Sequence, residues 1–181
     1  MNDFDFSILN SIQEKFRGNV MDKAVPFITK FGDKGIFWLT CGTVLIFTKK
    51  YRKCGVAMIS AISGGFVIGN LIIKNAVKRS RPCWISPLSD MLIAVPSDYS
   101  FPSGHSTASF AGAVVLFRYN RKLGIPALAL ASLVAFSRMY LYVHFPTDVV
   151  AGSLLGIAMG TMAVKATEKY TEKRKLRREN K

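Results

Sequence analysis

Acidic residues are scarce in this chain, and so are cysteine and histidine. Eleven Asp and Glu stand against 25 Lys and Arg, a formal charge of +14 over 181 residues. A soluble domain with that balance would point to nucleic acid. Here the charges do not line the faces of amphipathic elements; they come in short blocks between long apolar runs. That pattern argues against a nucleic-acid partner and for an integral membrane protein with basic blocks at its cytoplasmic surface. The three cysteines form neither a paired framework nor a metal-ligand spacing: Cys41 and Cys54 fall in or beside apolar segments and Cys83 in a loop. A cleavable leader is not expected, because the first thirty residues carry repeated charges and no apolar core ending in small residues; insertion would rely on internal spans. Only two histidines occur, His105 and His144.

The chain divides into an N-terminal part (1–33), an apolar body (34–165) and a basic tail (166–181). Phe4, Ile8, Leu9, Ile12 and Phe16 share one helical face opposite Asn10, Gln13, Glu14 and Arg17, with Ser7 as N-cap. A second short stretch, Val20 to Phe31, contains Asp22, Lys23, Pro26 and Lys30. Both read as amphipathic helices at the membrane interface. The fold class is all-α, a membrane helical bundle of five spans, or six if the second N-terminal helix inserts. The spans run Ile36–Thr48, Cys54–Ile73, Gly104–Phe117, Leu123 to about Val143, and Pro146–Val164, against the ~20 residues a bilayer needs. The small residues of the second span suit close helix packing. With the basic blocks 49–53 and 118–122 and the tail inside, the 74–100 loop and the turn at His144 both fall on the outer face.

Three clusters then need a reason to exist. Lys74, Lys78 and Arg81 extend the second span by helical steps until Pro82 ends it, on the outer side and without a neighbouring acid. Snorkelling cations are the bland reading and an anion site the sharper one; Lys78 and Arg79 read as cations that meet lipid headgroups. Phe101-Pro102-Ser103-Gly104-His105 opens the third span. A helix start offers free N–H groups and a positive dipole end to a phosphate, with Ser103 adding a hydroxyl, Gly104 permitting close approach and His105 supplying a proton. Alternatively Ser103 is only an N-cap. Ser137-Arg138 and His144-Phe145-Pro146-Thr147-Asp148 lie between two apolar runs, where ionisable groups are costly. An aspartate four residues on can hold a histidine in one tautomer, which leaves the other ring nitrogen to attack. Arg138 adds a fixed positive fork.

Together the clusters read Lys74…Arg81-Pro82, Pro102-Ser103-Gly104-His105 and Ser137-Arg138…His144…Asp148. With that spacing the sequence resembles the type 2 phosphatidic acid phosphatase family, relatives of the vanadium haloperoxidases and glucose-6-phosphatase. The resemblance covers Cys54 to about Val164. It implies that His144 is a nucleophile forming a phosphohistidine, that Asp148 orients it, and that His105 protonates the leaving oxygen and then activates water. It also implies a phosphoryl clamp of Lys74, Arg81 and Arg138 with Ser103 and the Gly104 N–H, and neither metal nor cofactor.

The implied substrate is a lipid phosphate, delivered sideways from the bilayer: phosphatidic acid, phosphatidylglycerophosphate or undecaprenyl diphosphate. Gly104, where some diphosphate-acting relatives carry aspartate, leans toward lipid monophosphates. Trp84, Leu88, Met91, Leu92, Ile93 and Tyr99 give the outer loop the character of an interfacial anchor or a lining for a lipid tail. A transporter of anionic lipid or phosphate is the rival from another class. It has no need of a His–Asp pair with a second histidine, and no broken-helix repeat is visible.

Overall fold

The computed structural model describes residues 2–179; Met1 and the end of the basic tail, Asn180 and Lys181, lie outside the described residues. Among the described residues every regular element is helical. Two short helices, α1 (Asn2–Phe16) and α2 (Asn19–Thr29), lead through a 3-10 turn (Lys30–Gly35) into α3 (Ile36–Phe47). Next come α4 (Arg52–Gly65), a π-helical stretch (Phe66–Ile73) and α5 (Lys74–Val77), which together make one long rod, and then the short α6 (Pro82–Ile85). The bundle closes with α7 (Gly104–Tyr119), α8 (Arg121–Tyr140) and α9 (Pro146–Glu179).

The centre is α7, which packs against α4, α8 and α9. Small residues on the facing helices let it approach closely. A Cβ on Gly152 would lie 2.5 Å from the carbonyl oxygen of Ser103, and one on Gly156 2.4 Å from that of Thr107. Steps of four along α9 therefore meet steps of four along the α7 backbone. The remaining space is filled by Trp38, Met58, Ala61, Ala111, Val115 and Ala131, all buried. The indole N–H of Trp38 is satisfied by Ser109 Oγ at 3.1 Å, as a buried donor requires.

Among the described residues, three segments are long and apolar enough to cross a membrane: Arg52–Ile85, Arg121–Tyr140 and Pro146–Arg178. At 12 and 16 residues, α3 and α7 fall short of the usual crossing length. Large apolar side chains such as Phe66, Leu71, Ile72, Leu133, Leu154 and Met162 point outward, where a bilayer rather than water would solvate them.

Several local expectations are corrected. α1 begins at Asn2, so Ser7 lies inside it rather than capping it. The helix through Lys74 stops at Val77, and Lys78 takes a left-handed conformation (φ 49°, ψ 40°), so Lys78 does not share a helical face with Lys74 and Arg81. The charged residues after Lys165 are helical, as one continuous α9 to Glu179. Both N-terminal helices do have apolar residues on one side, and these are covered in part: Leu9, Ile12 and Val25 are buried with Tyr140, Val143 and Phe145, while Phe4, Phe16, Val20 and Phe27 are exposed.

Candidate active site

His144 occupies the five-residue turn between α8 and α9 and is 2% exposed. The turn is pinned from α8: the Arg138 carbonyl oxygen accepts from the N–H groups of Val143 (3.2 Å) and His144 (3.3 Å). Tyr142, within it, has φ 59°, an unfavourable region for a bulky residue that needs surrounding structure to hold it. At the start of α9 the Asp148 carboxylate reaches back to the Phe145 N–H at 2.9 Å, the reciprocal half of a capping box.

The two nitrogens of His144 face different surroundings. Nε2 is 3.0 Å from Arg81 Nη1. Nδ1 is 3.7 Å from Asp148 Oδ2, beyond hydrogen-bonding range. Ser100 lies beside both, with its hydroxyl 2.5 Å from Asp148 Oδ2 and 3.4 Å from His144 Nδ1. Burial pushes the imidazole well below its usual range, and the positive charges of Arg81, Arg138 and Lys74 push it the same way. At neutral pH the ring is uncharged.

His144 opens onto a cavity of about 530 Å³ that Lys74, Arg81, Gly104, His105 and Arg138 also line. Six of the eight site residues read from sequence thus meet around one space. Asp148 stands behind His144 and is fully buried. Ser103, also fully buried, acts as the N-cap of α7 and accepts from the Ser106 N–H at 3.4 Å and the Ser106 hydroxyl at 3.0 Å; it does not line the cavity. His105 and the 3-10 turn also line the cavity, and there His105 Nε2 is 2.7 Å from Asp33 Oδ1. That hydrogen bond holds the Asp33 carboxyl below its usual range.

The cations are held differently. Lys74 and Arg81, expected to lack an acidic neighbour, share one: Asp98 carboxylate oxygens lie 2.5 Å from Lys74 Nζ and 2.7 Å from Arg81 Nη2. Arg81 also donates to the carbonyl oxygens of Asp98 (2.7 Å) and Val143 (2.6 Å). Arg138, 4% exposed, donates to Thr29 Oγ1 at 2.7 Å. Its Nε is buried without a hydrogen-bond partner among the described residues, a costly state for a charged donor.

Arg79 corrects the sequence reading most sharply. Far from meeting headgroups, it is paired with two buried carboxylates, at 2.6 Å from Asp5 Oδ2 and 2.5 Å from Asp148 Oδ1. Asp5, Asp33, Arg79, Asp98 and Ser100 were all missed. Asp5 did leave a signal: it falls in helical phase with the buried Leu9 and Ile12, an acid on an apolar face. The rest join the site through loops, and neither periodicity nor spacing reports on such joins.

A helical bundle with apolar outer faces and an inward cavity of buried cations and two histidines is the architecture of a membrane enzyme that handles an anion. The sequence pattern defining the PAP2 superfamily matches residues 51–172, and the chain belongs to that family. An undecaprenyl-diphosphatase from Sulfolobus acidocaldarius is 33% identical over 139 residues, spanning 76% of this chain and 66% of that protein. Among solved structures, Aquifex aeolicus LpxE superposes with a TM-score of 0.76 at 26% identity, covering 88% of this chain and 94% of its own. The PAP2-type phosphatidylglycerolphosphate phosphatase from Bacillus subtilis superposes with a TM-score of 0.75 at 26% identity, covering 93% and 86%. The protein is a membrane phosphatase of the PAP2 family.

Proposed function

We propose that the protein hydrolyses a lipid phosphate, without a metal ion, through a phosphohistidine on His144. The observation that carries this reading is that Lys74, Arg81 and Arg138, three buried cations, line one cavity together with both histidines. An anion seated there would be met by all three. In the first step His144 Nε2 bonds to phosphorus while the bond from phosphorus to the lipid oxygen breaks, and His105 gives that oxygen its proton. In the second, water attacks phosphorus, His105 takes the proton, and the bond to His144 breaks. Lys74, Arg81, Arg138 and the Gly104 N–H neutralise the phosphoryl oxygens, which is most of what phosphoryl transfer requires.

The substrate class is phosphatidic acid, phosphatidylglycerophosphate or undecaprenyl diphosphate; the relatives named for undecaprenyl diphosphate and for phosphatidylglycerolphosphate support the last two. Five bundle helices, α3, α4 with its π-helical extension, α7, α8 and α9, cross the membrane, α1 and α2 lie at its outer surface, and the basic α9 tail is cytoplasmic. The blocks 49–53 and 118–122 support that orientation. The test is phosphate release by detergent-purified protein in EDTA with each lipid, alongside His144→Ala and acid-labile trapping of phosphate on the enzyme. Turnover by His144→Ala at the native rate would refute the mechanism. His105→Ala should slow poor leaving groups most, and an equal loss across leaving groups of different pKa would remove His105 as the acid.

A further inference from the structure

α1 precedes the stretch on which the family is defined, which begins at Tyr51. It nevertheless makes polar contacts to three residues that bracket His144. Gln13 Nε2 donates to the Tyr140 carbonyl oxygen at 2.8 Å. The Tyr142 hydroxyl donates to Asn10 Oδ1 at 3.2 Å, which holds by its ring the one turn residue with positive φ. Asp5 Oδ1 accepts from the Thr147 N–H at 3.2 Å, and Asp5 Oδ2 from the Thr147 hydroxyl at 2.8 Å. The Phe6 ring packs edge-on against Phe145, centroids 5.1 Å apart.

The Asp5 contact has a particular chemistry. α9 starts after Phe145, whose side chain has no acceptor for the free N–H groups of the first turn. Asp5 supplies the missing cap from another helix. A negative charge at a helix start is also favoured by the dipole. Through Arg79 the same carboxylate reaches Asp148: Arg79 bridges Asp5 Oδ2 and Asp148 Oδ1, and the Arg79 guanidinium lies 4.2 Å from the Phe145 ring centroid. The Arg79 carbonyl oxygen in turn accepts from the Ser100 N–H at 2.8 Å, so Ser100, the residue beside both Asp148 and His144 Nδ1, is set by the same arginine. Asp5 and Asp148 are both fully buried. A carboxylate is buried only at high cost unless it is paired and hydrogen-bonded, and here one guanidinium serves two of them.

We infer that Asp5, acting through Arg79 and the first turn of α9, is a positioning residue that fixes the Asp148 carboxylate and Ser100 behind the nucleophilic imidazole, and that α1 is a built part of the active site. This rests on the reading of His144 as nucleophile. With Asp5 neutral, Arg79 would remain paired to Asp148 alone and would draw that carboxylate away from the turn. The substrate cavity on the other side of His144 would be unchanged, since neither Asp5 nor Arg79 lines it.

The test is Asp5→Asn, nearly isosteric, in full-length protein in detergent, with Asp3→Asn on the exposed side of the same helix as control. The expected result is a kcat lowered by about tenfold to a hundredfold with KM within about twofold, the range seen when a group that orients a reactive side chain is lost. The control should behave as the native protein. His144 Nδ1 should also shift in the nitrogen spectrum of histidine-labelled protein, which a loss of folded molecules alone does not produce. A native kcat in folded Asp5→Asn overturns the inference, as does a fall in rate that only tracks the folded fraction. If Asp5→Asn does not fold, Asn10→Ala, which deletes one hydrogen bond from an exposed position, should lower kcat about two- to fivefold; a native rate there overturns the inference equally. His144→Ala is measured beside them. An inactive His144→Ala with a fully active Asp5→Asn refutes the positioning role alone, and an active His144→Ala refutes both readings.

Discussion

Arg81 Nη1 lies 3.0 Å from His144 Nε2, and this one contact fixes which ring nitrogen carries the proton. A guanidinium has donors and no acceptor, so Nε2 must accept and the proton must be on Nδ1, toward Ser100 and Asp148. In the proposed mechanism that lone pair is the one that attacks phosphorus, so Arg81 would leave it for the phosphoryl oxygens when substrate binds. Its fork also holds the Val143 and Asp98 carbonyls. Arg81→Lys keeps the charge but cannot make these contacts together. Its kcat should fall by about a hundredfold or more, since each buried acceptor left unpaired costs about 1–3 kcal/mol. Steady-state kinetics on whichever of the three lipids is turned over decides it, and a loss under threefold would mean that only the charge at 81 matters.

The neutrality of His144 has a pH signature. Its imidazole is held well below the usual range by burial and by three cations, so the native state resists the proton that an unfolded histidine accepts near 6.5. As pH falls below about 6.5 the unfolded chain binds that proton first, so this group's contribution to stability is full above that pH and declines below it. With two histidines in the chain, a labelled His105→Gln variant shows one imidazole. That resonance should remain neutral from pH 8 down to pH 5. A midpoint near 6.5 would contradict the burial of the ring among cations.

Asp98 is paired with two cations of the proposed phosphoryl clamp, Lys74 and Arg81. Burial works to raise its carboxyl, but the Lys74 ammonium and Arg81 guanidinium outweigh that and hold it down to about 2. The ion pairs therefore contribute fully above about pH 4 and are lost only as pH falls toward 2. A phosphate bound as proposed would displace this half-exposed carboxylate to reach the two cations. Asp98→Asn should strengthen inhibition by inorganic phosphate about fivefold, matching the ~1 kcal/mol of a partly exposed ion pair. Weaker inhibition would instead make Asp98 a group that aligns the clamp.

The motif residues were legible because their chemistry is out of place in an apolar chain: two histidines and a set of cations at span ends have few other uses. What surrounds them was not. Arg79 looked like Lys78, its neighbour, and only the left-handed turn at Lys78 sends one outward and the other onto two buried acids. Asp98 stands 24 residues from Lys74 in a loop without periodicity. Asp5 lies beyond any local window from Asp148. The long helices were readable from hydropathy, while helix ends, such as the left-handed stop at Lys78 and the start of α1 at Asn2, carry the weakest local signal.

The glycines of α9 offer the sharpest separation of folding from function. A Cβ on Gly152 would sit 2.5 Å from the Ser103 carbonyl oxygen and 3.2 Å from its nitrogen, and Ser103 N donates to the Asp148 carbonyl oxygen at 3.1 Å. That contact binds the start of α7, with Gly104 and His105, to the first turn of α9. On Gly156, one turn further, a Cβ would sit 2.4 Å from the Thr107 carbonyl oxygen, deeper in the bundle. Both crowded atoms are backbone, so neither site yields by a rotamer change, and each alanine should cost about 1–3 kcal/mol of stability. Gly152→Ala should in addition push the His105 turn away from His144 and lower the kcat of the folded enzyme by about tenfold or more, as displacements near 1 Å do. Gly156→Ala should melt earlier yet turn over within about threefold of the native rate. Thermal melts and kcat per folded molecule for the pair give the answer, and equal rates in the two variants would show that the α7–α9 contact sets stability without setting the distance between the histidines.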